Sequence, residues 1–167
     1  MKMKISFLLI IFIPLIFSCN INGNNEEIDD LKSQKFGLTV IAKGELYGNG
    51  DEGFSQENIV VTTEKQWKAL ISKMSKVNDV TQSFNETDID FSEYRVVAIF
   101  DKVRGSGGYY LQVTSKPESG KIIIDIVHGT PAGAVTLNIT QPYLIGKIPV
   151  SDMSVVFKDD SPMIYNR

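Results

Sequence analysis

The chain has 167 residues, with 17 basic against 20 acidic side chains, one cysteine and one histidine. That balance argues against nucleic acid as a partner and against a basic grip on lipid headgroups. A single thiol excludes an internal disulfide and a cysteine-based metal site, and a lone imidazole excludes the commonest zinc sets, so a one-domain core must be held by packing alone.

Lys2 and Lys4 precede an uncharged apolar run, Ile5 to Phe17, the pattern of a secretory signal. Those thirteen positions fall short of the roughly 20 needed to cross a hydrocarbon core. Ile16-Phe17-Ser18 before Cys19 resembles the lipobox of bacterial lipoproteins, with a branched aliphatic three places before the cysteine and a small residue beside it; Phe17 departs from the pattern. The cysteine thiolate is the nucleophile that accepts the diacylglyceryl group. The expectation is a signal over residues 1–18 and a lipidated Cys19 as the mature N-terminus. The alternative is a plain secreted protein with one free thiol. Two or three acyl chains make attachment effectively permanent, which places the protein in the bacterial envelope, at the outer membrane or cell surface rather than free in the periplasm.

Asn20 to Lys35 is polar and acidic, too poor in apolar residues to offset its ordering entropy, and reads as a flexible tether. As a coil it would hold the domain about 20 Å from the bilayer. Its Glu26-Glu27 and Asp29-Asp30 pairs resemble the acidic patches that route some lipoproteins to the cell surface, against the plainer reading of a solvated linker.

A single folded domain is expected over residues 36–167. Phe36 to Ala42 reads as a first strand, Tyr47 to Gly53 as a glycine-rich loop, and Ile59 to Val61 as a second strand. Thr63 and Gln66 fit a capping box, and Trp67, Leu70, Ile71 and Met74 then form one apolar stripe of a helix whose lysines face water. Val77 to Glu93 is irregular. Arg95 to Phe100 is continuously apolar, as in a central strand covered on both faces. Tyr109 to Lys116 and Lys121 to His128 alternate and pair as a hairpin, with Pro117 to Gly120 as its turn. Tyr143 to Ile148 and Met153 to Phe157 are shorter strands. The fold class is α+β: a mostly antiparallel sheet or open barrel with one main amphipathic helix packed on it.

Arg104-Gly105-Ser106-Gly107-Gly108-Tyr109 has the glycines of a phosphate loop, but strand residues follow it instead of a helix, so it reads as a tight link between strands. Arg104 occupies the place where a nucleophile elbow around Ser106 needs glycine, and the only base on offer is His128, at a strand end. Asp88, Asp90 and Glu93 lack the donors and central glycine of a calcium loop and read as a capped turn beside Phe91. No catalytic residue, metal ligand or cofactor is expected.

Glu64-x-x-Trp67-x-x-Leu70, Asp90-Phe91, Arg95-Val96-Val97-Ala98, Arg104 to Tyr109, Gln141-Pro142-Tyr143 and Val155-Val156-Phe157 together resemble the C-terminal domain of the PrcB family. That family is named for a lipoprotein subunit of a spirochaete surface protease complex, which accompanies and stabilises the protease. The resemblance runs from about Phe36 to Phe157; Ser106 stands where threonine is more usual. It implies a non-enzymatic accessory module whose partner is a protease or another envelope protein. Contacts are expected in the loop Arg104, Gly105, Ser106, Gly107, Gly108, Tyr109 and in the stretch Gly129 to Tyr143, with Thr130, Pro131, Pro142 and Tyr143 as its candidates. Ser106-Gly107-Gly108-Tyr109 also faintly resembles a loop of chagasin-type protease inhibitors, whose Arg-Pro-Trp element is absent. A cryptic hydrolase would need His128 beside Ser106, or a carboxylate cluster inside a pocket.

Overall fold

The computed structural model describes residues 37–159. The signal, Cys19, the tether and Phe36 lie outside the described residues. In chain order the elements are β1 (Thr39–Leu46), β2 (Glu57–Val61), α1 (Glu64–Met74), a 3-10 turn (Thr81–Ser83), β3 (Tyr94–Phe100), β4 (Tyr110–Glu118), β5 (Lys121–Gly129), β6 (Gln141–Pro149) and β7 (Ser154–Asp159). The α+β class expected from the sequence is what forms, as three layers instead of a closed barrel. A first sheet has the order β1-β6-β3-β2 with every pair antiparallel, and a second has the order β4-β5-β7 with β5 and β7 parallel.

The continuous apolar run of β3 is explained by its two covered faces. Val96, Ala98 and Phe100 point to the helix layer, where Trp67, Leu70 and Met74 of α1 meet Ile41, Tyr143 and Ile145. Val97 and Ile99 point the other way, into a second core with Leu111, Ile122, Ile124, Ile126, Leu144 and Ile148. Thr63 caps α1 by accepting from the Gln66 amide at 3.3 Å, while Gln66 Oε1 reaches back to the amide of Thr62, one residue beyond the expected box. Trp67 sits in the core and donates its indole N–H to Thr87 O at 2.8 Å.

Several boundaries differ from the sequence reading. β1 begins three residues later, and β6 is a nine-residue strand bonded on both sides by β1 and β3. The hairpin turn is shorter than expected: Pro117 and Glu118 belong to β4, and the bend is made by Ser119 (φ 50) and Gly120 (φ 74). Two consecutive positive φ values match the twist of the flanking strands. Within the irregular 75–93 segment, Asp90 caps a turn by accepting from the Ser92 amide at 2.8 Å, as expected.

The strand directions give the molecule two poles. β1 enters at Thr39, opposite Lys147, and leaves at Leu46, opposite Gln141, about 24 Å away at the usual strand rise. β3, β5 and β7 end at the exit pole, and the segments 47–56, 101–109 and 130–140 lie there.

Candidate functional site

The two stretches singled out in the sequence meet at the exit pole. Arg104 and Thr140 form a bridge through mutual backbone hydrogen bonds of 2.7 and 3.0 Å, and Gly107 N–H donates to Thr136 O at 3.1 Å. The first stretch is therefore the second part of a nine-residue crossing, 101–109, from β3 in one sheet to β4 in the other, a correction to the tight link expected. Gly108 has φ +87, open to glycine at little strain, and a Cβ there would lie 3.1 Å from the Pro131 ring. Gly105 and Thr130 are exposed, and a Cβ at Gly105 would meet nothing within 4 Å; Ser106 contributes its carbonyl, which accepts from the Thr140 hydroxyl at 3.2 Å.

Buried polar side chains hold this pole together, and no local pattern in the chain marks them. Asp101 is 1% exposed. One of its oxygens accepts from Arg104 Nε at 2.9 Å and Nη2 at 2.5 Å, and the other from the Lys102 amide at 2.8 Å. His128 lies between Asp101 and Asp159: its Nε2 is 2.9 Å from Asp159 Oδ1, and its Nδ1 is 3.1 Å from Asp101 Oδ1 but makes no hydrogen bond there. Both ring nitrogens thus face carboxylates, and neither is directed to Ser106. Gln141 donates through Nε2 to Phe54 O at 3.1 Å and Asp101 O at 2.7 Å, tying two loops to β6. Glu45 Oε1 accepts from the Gly108 amide at 3.1 Å and the Thr140 hydroxyl at 2.9 Å, and its Oε2 from the Tyr47 phenol at 3.2 Å. Partial burial, then the Glu45 charge, pushes the Tyr47 phenol up, which keeps its proton on that bond.

Two expected contact residues are interior. Pro142 and Tyr143 lie within β6 and are buried, with the Tyr143 phenol 3.2 Å from Ser83 Oγ, so they anchor the loop from within. What faces solvent is Tyr110, 49% exposed, and the uncharged run 131–139, in which Leu137 is 90% exposed. The Arg104 guanidinium lies 4.5 Å from the centre of the Tyr109 ring, a cation–π contact that fixes it. Between β1 and β4 a groove of about 520 Å³ opens, with Lys43 and Glu45 on one wall and Tyr109, Tyr110 and Gln112 on the other. Among the described residues no cluster of three or more potential ligands could hold a metal ion, and no helix is long and apolar enough to cross a membrane.

Compared with family models, curated proteins and solved structures, the chain matches none.

Proposed function

We propose that this protein is a lipid-anchored, non-enzymatic interaction module of the bacterial envelope that accompanies a partner protein, with a surface protease as the partner its PrcB-like residues suggest. The reading is supported above all by the two-pole arrangement: the tether would enter beside Thr39, while the pinned loops and exposed apolar run sit at the other end of the strands. A membrane anchor at one end then presents the loops outward. Loops held rigidly on a sheet are suited to recognition, because less ordering entropy is lost on docking. Residues 131–139 add apolar surface with no charge to desolvate.

Intact mass measurement of the protein extracted from native membranes tests the anchor: diacylglyceryl and acyl additions on Cys19 are expected, and an unmodified Cys19 would refute it. Affinity recovery from the same membranes tests the partnership, with Leu137→Asp as the comparison. A partner retained by the parent chain and lost by the variant is the expected result; identical recoveries would show that the exit pole is not the contact surface. The inhibitor reading draws on the same rigid Gly107-Gly108-Tyr109 loop. Sub-micromolar inhibition of papain-like or subtilisin-like proteases by the purified protein would favour it.

A further inference from the structure

We propose that the open edge of β4 from Tyr110 to Thr114 receives an extended, acidic peptide segment of the partner protein as an added strand, with Lys43 pairing its carboxylate. This deepens the interaction-module reading and rests on it. Among the described residues β4 has a strand neighbour on its β5 side only. An unpaired edge offers a row of backbone donors and acceptors that a second chain can complete.

The four sheet edges are not equally available. On β1 the Asn85 amide already donates to Ile41 O at 2.9 Å, and its side chain to Val40 O at 3.3 Å. β2 has five residues, and the cation beside it, Lys73, lies 3.7 Å from Glu57 and over the Phe54 ring. β7 ends in Lys158 and Asp159, held by Glu118 and His128. β4 itself is blunted over its second half by Lys116 and Pro117, the residue types that discourage strand addition. Its first half, Tyr110-Leu111-Gln112-Val113-Thr114, carries no charge, and Tyr110, Leu111 and Gln112 of it line the 520 Å³ groove. Five residues span about 16 Å of strand edge.

Charge and preorganisation define the occupant. Lys43, exposed on the facing wall, has no carboxylate within ion-pair distance among the described residues. The one acid in the groove, Glu45, is occupied by the Gly108 amide and the Thr140 and Tyr47 hydroxyls. The groove therefore offers one unmatched positive charge, which an aspartate or glutamate of the incoming strand complements. The aromatic wall is set in place beforehand: Arg104 holds Tyr109, and the Tyr110 ring lies over Gly129, where a Cβ would stand 2.2 Å from it. Rigid tyrosines half open to solvent provide contact area at little entropic cost.

The test is selection of random octapeptides displayed on phage against the mature chain carrying Cys19→Ser. Enrichment of proline-free peptides with an acidic residue is expected. N-methylation of alternate backbone amides in the best synthetic peptide should weaken binding by about tenfold or more, the loss of one or two hydrogen bonds. Lys43→Glu should weaken the same peptide about fivefold in low salt, as a rim charge does, and Tyr110→Ala should weaken it further with the thermal midpoint little changed. Absence of enriched peptides, or indifference to both N-methylation and Lys43→Glu, overturns the site. The partner reading fails separately. If native membranes yield no partner for the parent chain, that reading falls; if they yield one that Lys43→Glu and Tyr110→Ala retain in full, the reading stands and β4 is not the edge used.

Discussion

The two poles of the domain are built on different principles. At the entry pole three connections are short: Ser119-Gly120 closes β4 onto β5, Thr62-Thr63 joins β2 to α1, and 150–153 joins β6 to β7, while the long segment 75–93 runs from α1 back to the start of β3. Local turn and capping chemistry suffices there. At the exit pole long segments are held by hydrogen bonds of Asp101, Gln141, His128 and Glu45, side chains whose desolvation those bonds offset. A domain selected for stability alone could close that end with short turns. Retaining long loops and fixing them with buried polar groups is the pattern of a displayed surface.

The contrast breaks most sharply at Asp101. Asp101→Ala leaves Arg104 without its carboxylate partner and the Lys102 amide without an acceptor, and should lower stability by about 3–5 kcal/mol. Chemical denaturation checks the magnitude. Hydrogen exchange should accelerate first at Gly107, whose amide bonds to Thr136 O. At the other pole Gly120→Ala meets no neighbour within 4 Å, so only the backbone strain at φ +74 counts. A loss of about 1–2 kcal/mol is expected, with loop exchange at the exit pole unchanged; acceleration there would mean the poles are coupled. The smallest effect belongs to Glu118, whose carboxyl is held low by a hydrogen bond from Lys158 and by its charge. A depressed folded value contributes stability above the ordinary carboxylate range and loses it as pH falls through the folded value. Glu118→Gln should therefore narrow the gap between neutral and acidic melting midpoints slightly in low salt, with no difference in 0.5 M salt, since exposed pairs are screened.

Local pattern made some of this architecture legible. The apolar run of β3, the alternation of β4 and β5 and the stripe of α1 each state which faces are covered, and Thr63 with Gln66 marks where the helix starts. β6 was harder to read because Pro142, Gly146 and Pro149 interrupt it, so a nine-residue central strand looks like a short one. Gly146 leaves room for the Leu38 side chain, which a Cβ there would approach to 2.7 Å. The parallel pairing of β5 and β7 is non-local and leaves no turn signal. At the exit pole, the loops were visible as loops, but their meeting was not. Asp101, His128 and Asp159 lie far apart in sequence, and Gln141 sits beside a proline–tyrosine pair that draws the eye to aromatic contact. Pro142 and Tyr143 look like display residues by type, and only the strand register shows them to be interior.

The place of β6 in the first sheet also sets the order of assembly. Leu46 waits for Gln141 and Phe100 for Tyr143, so neither β1 nor β3 can bond to β6 until nearly all of the domain has been synthesised. Such distant pairing makes folding slow, because loop closure precedes the contacts that offset it. The β2–β3 and β4–β5 pairs need no part of β6, but a polypeptide ending before residue 141 would have β1 with no strand to join among the described elements.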